Sequence, residues 1–200
     1  MVAAISFRTL RSHELAELDS LLALYESALP AHEQKPHAWL RQMFAQPGYA
    51  FVYAERDEQT VGFAILYRFQ CVPLTLLEYL AVAEHERQSG LGSRLFSLGA
   101  WLAGERTLLV ELDAPHAGAP ETVRRHRFYR RQDCQRVGTL DYVLPLPDLS
   151  PPPMWLLMHG RQGSVERDEL AGWLRALYTE VYGRDASDPR IDLMLRALPR

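Results

Sequence analysis

Lysine is nearly missing from these 200 residues: Lys35 stands alone, and every other basic residue is an arginine. Codon usage accounts for that bias without any function. Cysteine is also scarce. Cys71 and Cys134 lie far apart with no C-x-x-C spacing, which speaks against a disulfide framework or a zinc site. The histidines are scattered, with no H-x-x-x-H or H-E-x-x-H pair, so no metal is expected. Excess charge is missing too. The formal net charge is -3 and the pI is near 6.2, unlike the strongly basic face of a general nucleic-acid binder, so no nucleic-acid partner is expected. Long apolar runs are absent. The first apolar residues soon meet Arg8, Arg11, His13 and Glu14, which predicts neither a signal peptide nor a membrane span, and a reducing cytoplasm fits best.

What is present is enough apolar material, 48% of the residues, for one full core and a small appendage. A weakly patterned strand is expected over Ala3 to Leu10. Ser12 is placed to cap a helix running to about Leu29, with Leu15, Leu18, Leu22 and Tyr25 at helical spacing and Pro30 ending it. A second helix is expected from Pro36 to Gln46. The period then shortens. Ala50 to Glu55 and Val61 to Phe69 read as strands around the polar turn Arg56-Asp57-Glu58-Gln59, and Thr75 to Ala83 as the next. A helix over Leu91 to Gly104, a strand over Thr107 to Leu112, a helix over Thr122 to Arg131 and a closing strand over Gln135 to Leu146 complete the pattern. This is an α/β order with an antiparallel first half and helix crossovers after it.

Five prolines between Pro145 and Pro153 exclude regular structure there. The division expected is 1–146 for the main domain and 147–200 for a proline-linked extension packed on it. The extension reads as a strand over Met154 to Met158, a helix capped by Ser164 and running to about Tyr182, and a last helix started by Asp188-Pro189. Trp173, Leu174, Leu177, Val181 and Tyr182 give it an apolar stripe that packs on the domain, with a homodimer contact or a wall of an acceptor pocket as the open alternatives.

The central motif is Leu80-Ala81-Val82 followed by Arg87-Gln88-Ser89-Gly90-Leu91-Gly92 opening a helix. Glycines let the backbone approach a ligand, the free amides of the first turn and the helix dipole favour an anion, and Arg87 adds positive charge suited to phosphate oxygens. An ordinary strand-turn-helix junction would look the same. The motif is neither a Walker loop nor a dinucleotide fingerprint.

With its flanks, Glu78 through Leu95, this motif resembles motif A of the GNAT acyltransferase superfamily, whose signature is R/Q-x-x-G-x-G/A after a strand ending in an apolar triplet. Arg125-His126-Arg127-Phe128-Tyr129-Arg130 resembles a later helix of that superfamily, and the element order is similar from about Ile5 to Val143. The resemblance implies the GNAT fold, a mixed central sheet with helices on both faces. It also implies transfer of an acetyl group from acetyl-CoA to an amine of a small molecule or peptide. In that reading the backbone of Leu80, Ala81 and Val82 pairs with the pantetheine arm, and amides from Gln88 through Ser93 hold the pyrophosphate beside Arg87. A scarcity of lysine would leave such a protein little amine surface to acylate by accident. Two departures stand out. Gln88 occupies a position where members usually have glycine, and Phe128-Tyr129 is not followed by the usual Gly-Phe. The segment after Val143, with Tyr178-Thr179-Glu180-Val181-Tyr182-Gly183, is similar to an extension in a subset of bacterial members.

Acylating an amine requires removing a proton from an ammonium, donating to an oxyanion and protonating a leaving thiolate. The resemblance points to Tyr129 for the last of these. Glu78 and Glu111 are the candidate bases, because each sits in an otherwise apolar strand, where a carboxylate is costly and its pKa tends upward. Asp113 shares a face with Glu111 by the two-residue period and is a candidate for holding a cationic acceptor. A salt bridge with a nearby arginine is the alternative reading for Glu78. The other class of function in view is a non-catalytic acyl-CoA-binding or regulatory module.

Overall fold

The computed structural model describes residues 4–146 and 153–198. Seven strands form one mixed sheet in the order β1-β2-β3-β4-β5-β7-β6. By their internal contacts the residues fall into two units, 1–68 with 77–104 and 69–76 with 105–200. The expected boundary at residue 146 falls inside the second. None of the described helices is long and apolar enough to cross a membrane.

In the first unit, β1 (Ser6–Thr9), β2 (Tyr49–Arg56) and β3 (Gln59–Arg68) pair antiparallel. The β2–β3 turn is two residues long, Arg56 facing Gln59, and Asp57 and Glu58 both take positive φ. Two successive left-handed residues match the twist of the flanking strands, which closes the hairpin without splaying it. Because side chains alternate along a strand, Phe51, Tyr53, Phe63 and Ile65 share one face, and α1 (Leu15–Ala28) and α2 (His37–Ala45) bury Leu18, Leu21, Leu22, Tyr25, Leu40 and Met43 against it. The opposite face takes α3 (Leu91–Ala103). Gly62 and Gly99 allow that approach: a Cβ on Gly62 would come within 2.8 Å of Leu95 Cδ1, and one on Gly99 within 3.2 Å of Leu66 Cδ2.

The expected Ser12 cap is not used. Helix α1 starts at Leu15 with Glu14 before it, and the Glu14 carboxylate accepts the Arg11 backbone N–H at 2.7 Å. The amides a Ser12 cap would accept are used by the backbone instead: Glu14 N–H donates to the Arg11 carbonyl at 2.9 Å and Leu15 N–H to the His13 carbonyl at 3.0 Å. Ala3, the start of the expected first strand, lies outside the described residues.

In the second unit, β5 (Thr107–Asp113) and β6 (Gln135–Arg136) flank β7 (Met154–His159), which pairs antiparallel with both. The strand from beyond the proline link is thus an inner strand of the sheet. The expected closing strand over Gln135 to Leu146 shrinks to β6 and an isolated bridge from Tyr142 to Met154. Gly138 at φ 51° turns the chain, and Arg136 Nη2 ties down the Thr139 and Leu140 carbonyls, so the backbone leaves the ladder early. Residues 147–152 of the proline stretch lie outside the described residues.

Helix α4 (Pro120–Arg131) begins with proline at its first turn, where no amide partner is lost. The expected Ser164-capped helix instead starts after Glu166 as α5 (Arg167–Ala176) and passes into a π turn over Leu177–Val181. Of the expected apolar stripe, Trp173, Leu174 and Leu177 are buried, whereas Val181 and Tyr182 are partly exposed; Tyr178, outside that stripe, is buried too. Helix α6 (Pro189–Arg196) is capped as expected, Asp188 accepting the Arg190 N–H at 3.1 Å; residues 199–200 lie outside the described residues.

Candidate active site

β4 (Leu74–Val82), in the first unit from Leu77 on, leads through a 3-10 turn over Glu84–Glu86 into the motif that opens α3. Gly90 sits before the helix at φ 84°, and Gln88 takes φ 68°. A left-handed conformation at residue 88 explains why glycine is usual there and identifies a locally strained side chain. The turn is held from below. Ser89 N–H and Oγ both donate to the Glu86 carbonyl, at 3.3 and 2.7 Å, and the buried Glu86 carboxylate pairs with Arg56 Nη1 from the β2–β3 hairpin. Leu91 N–H is satisfied by Ser89 Oγ at 3.3 Å. The amides of Gln88, Gly90 and Gly92 donate to nothing among the described residues. Those of Gly90 and Gly92 flank the helix start, where donors have no intrahelical acceptor. A Cβ on Gly90 would meet nothing within 4 Å, so the space above the turn is open. Arg87 is exposed beside it and borders a groove of about 560 Å³ lined also by Ser20 and Ser27 of α1 and Glu58 of the hairpin. A helix start with free amides, a nearby guanidinium and room above has the chemistry that suits an anion.

Upstream on the same strand, Glu78 is buried, its side chain 5% exposed. Its Oε1 accepts from the Lys35 ammonium, while Oε2 has no partner among the described residues. The salt bridge read as the alternative for Glu78 therefore exists, with the one lysine rather than an arginine. Tyr25 Oη accepts the Lys35 backbone N–H at 2.7 Å, and the Tyr79 ring centroid lies 5.8 Å from the ammonium. Lys35, Tyr25 and Tyr79 were not among the sequence candidates. Only the rarity of lysine marked Lys35.

In the second unit, Glu111 at the centre of β5 accepts hydrogen bonds from Tyr142 Oη at 2.5 Å and Tyr182 Oη at 2.6 Å. Burial, reinforced by the nearby Glu111 charge, pushes the Tyr142 hydroxyl well above its ordinary pKa. Asp113 accepts from Arg125 Nη2 at 2.7 Å. Tyr129 on α4 is buried, its ring 5.0 Å from that of Phe128. Burial, with a smaller push from Cys134, raises its pKa well above that of a free phenol, and Arg125 offsets part of this. His126 packs edge-on to Trp155 at 5.2 Å. Tyr142 and Tyr182 carried no sequence signal as partners of Glu111. Among the described residues no cluster of His, Cys, Asp and Glu could hold a metal.

Such a sheet, with a strand-turn-helix junction after β4 whose open amides suit an anion, defines an α/β protein. The chain belongs to the acetyltransferase (GNAT) family, whose family model matches residues 18–133. Its fold is similar to that of solved GNAT structures. One is an acetyltransferase of the GNAT family from Bacteroides thetaiotaomicron, 21% identical, with a TM-score of 0.74 over 89% of this chain and 98% of that one. Another is a GNAT-family protein from Desulfovibrio desulfuricans, 24% identical, with a TM-score of 0.57 over 78% and 98%. The ribosomal-protein-S18-alanine N-acetyltransferase of Escherichia coli is 16% identical, with a TM-score of 0.56 over 78% and 91%. Comparison with curated protein sequences finds no significant match.

Proposed function

We propose that this GNAT-family chain transfers acetyl from acetyl-CoA to an amine of a small molecule or peptide. The observation that carries the reading is the Arg87 to Gly92 turn, whose amides at Gln88, Gly90 and Gly92 have no acceptor among the described residues. They, Arg87 and the amide of Ser93 would hold the pyrophosphate, and the backbone of Leu80, Ala81 and Val82 would lie along the pantetheine arm, with Leu91 starting the supporting helix. Acetyl-CoA supplies the activated acyl group.

The chain's own residues do the rest. Glu78 is assigned to bind the acceptor ammonium and take its proton, because one of its buried oxygens has no partner among the described residues. Both Glu111 oxygens are engaged by tyrosine hydroxyls, which favours a supporting role for this carboxylate over that of the base. Asp113 shares its charge with Arg125, so an acceptor cation would have to compete with that guanidinium. Tyr129 is assigned to donate a proton to the departing sulfur. Its hydroxyl is protonated at neutral pH, the form a donor needs, while the burial that raises its pKa also makes it a weaker acid. No metal enters this chemistry, and no membrane or nucleic-acid partner is needed. The exposed free thiol of Cys71 suits a reducing cytoplasm.

The pairing of Glu111 and Asp113 favours, as a second reading, a module that binds acyl-CoA without turning it over. One experiment separates the two. Acetyl-CoA should raise the melting temperature, as any ligand of the native state alone must. Thiol release is then followed over a panel of amines with wild type, Tyr129→Phe and Glu78→Gln. Release that falls at least tenfold in both variants supports the enzyme. Stabilisation without release on any amine leaves the binding module.

A further inference from the structure

We infer that Lys35 is itself an acyl acceptor, so that the protein acetylates its own single lysine in cis. The inference rests on the proposed use of acetyl-CoA and adds to it a modification site. Four observations point to it, all within the first unit. First, the Lys35 ammonium is bound by Glu78, the carboxylate assigned as base, and lies 5.8 Å from the Tyr79 ring centroid. A carboxylate and an aromatic face are the elements that recognise an alkylammonium. Lys35 thus occupies a site of the chemistry an acceptor amine would need.

Second, Glu78 precedes Leu80 by two residues on β4, about 7 Å along an extended strand, so the ammonium is tied next to the backbone assigned to the pantetheine arm. Third, the amine is held in place by its backbone. Tyr25 Oη accepts the Lys35 N–H at 2.7 Å, and Pro36 follows directly at the start of α2, which limits how far this residue can swing. Fourth, the Lys35 side chain is 21% exposed, so the amine is not sealed off, and Glu78 Oε2 has no partner among the described residues with which to share a proton.

The step balances without a further reagent. The Glu78 carboxylate takes one proton from the ammonium, and the neutral amine nitrogen bonds to the acyl carbon. The carbon–sulfur bond breaks and coenzyme A leaves. Of the two protons the nitrogen loses, one ends on the departing sulfur and one passes through Glu78 to solvent. The product is a neutral amide, so Glu78 loses its counter-ion.

The test incubates the purified full chain with acetyl-CoA and follows its intact mass, with the site mapped by peptide fragmentation. The expected result is a gain of one acetyl group on Lys35, at a rate independent of protein concentration. The gain should vanish in Lys35→Arg, since a guanidinium keeps the ion pair but does not give up a proton. It should slow at least tenfold in Glu78→Gln, and in Glu78→Asp if the first variant does not melt cooperatively. If acetyl-CoA raises the melting temperature but Lys35 stays unmodified, the inference is overturned while the coenzyme reading stands. Acetylation confined to the α-amino group overturns it too, as does an equal rate on Lys35 in a folded Glu78 variant. If acetyl-CoA does not alter the melting temperature, the coenzyme reading fails and this inference falls with it.

Discussion

Tyr182 donates its hydroxyl to the Glu111 carboxylate at 2.6 Å, joining the turn after the π helix to the middle of β5 across 71 positions of sequence. Tyr142 donates to the other oxygen, and Tyr178 Oη donates to the Val143 carbonyl at 2.6 Å, so the segment near Tyr142 and the C-terminal helices share one polar knot. A half-buried carboxylate with both oxygens satisfied is stable as long as the knot is complete. Removing one hydroxyl leaves charge without its donor. Tyr182→Phe should therefore cost about 1.5–3 kcal/mol, the range for a hydrogen bond to a charged group. In a chain of this size each kcal/mol lowers Tm by about 2–4 °C. Thermal melting checks the size. An unchanged melting temperature would mean that the contact adds nothing to the fold.

The two cysteines should differ sharply towards an alkylating or aromatic disulfide reagent. Cys71 is exposed, whereas Cys134 is buried and burial pushes its thiol up to about 12, with Asp133 adding to the effect. Since the thiolate is the reactive form, Cys134 stays protonated and silent near pH 8. Native protein should titrate one thiol per chain, and protein in denaturant two. Two fast-reacting thiols in the native state would overturn the burial of Cys134.

Asp188 caps α6 and also pairs with Arg190 at 2.6 Å. The hydrogen bonds from Arg190 hold its pKa below the ordinary aspartate value. A carboxyl with a lowered folded pKa stabilises the fold in full above its unfolded pKa, and the contribution is lost as the pH falls through the lowered value. Asp188→Ala should cost about 1 kcal/mol at neutral pH, the usual worth of such a cap. The difference between variant and wild type should shrink in acid. Urea denaturation at neutral pH and below the aspartate range gives both numbers; a difference that grows on acidification would contradict the pairing.

Local features were legible and distant pairings were not. The Arg87 to Gly92 turn, the Asp188-Pro189 start and the helices α1 to α4 follow from spacing, glycine and proline within a few residues of one another. The failures have longer reach. Ser12 lost its capping role to the Arg11 and His13 carbonyls, which take the Glu14 and Leu15 amides, and β6 ended early because Gly138 turns the chain while Arg136 holds the next carbonyls. No periodicity could say that β7, from beyond five prolines, pairs between β5 and β6. The same holds at the site. Glu78 was singled out as an acid in an apolar strand, but Lys35 lies 43 positions away and only the folded chain joins them.

Two positions in the phosphate turn should respond to substitution in opposite directions. Gly90 and Gln88 both take left-handed backbone, φ 84° and 68°. An L-residue there costs about 1–2 kcal/mol from the clash of its Cβ with the following carbonyl, a cost glycine does not carry. Gly90→Ala introduces that strain with no new contact, because the added Cβ meets nothing within 4 Å. It should lower stability by about 1 kcal/mol, within the same strain range. Gln88→Gly removes the strain but frees the unfolded chain, at an entropic cost of about 0.5–1 kcal/mol, so the net gain should be a fraction of a kcal/mol. The coenzyme adds a second axis. The space above Gly90 is where a phosphate would approach the free amides, so Gly90→Ala should also shrink the rise in melting temperature on adding acetyl-CoA. Gln88→Gly should keep that rise or enlarge it, since its amide is retained. Melting curves of the three proteins, with and without acetyl-CoA, separate strain from ligand contact: strain moves both curves together, and a lost contact moves only the one with ligand.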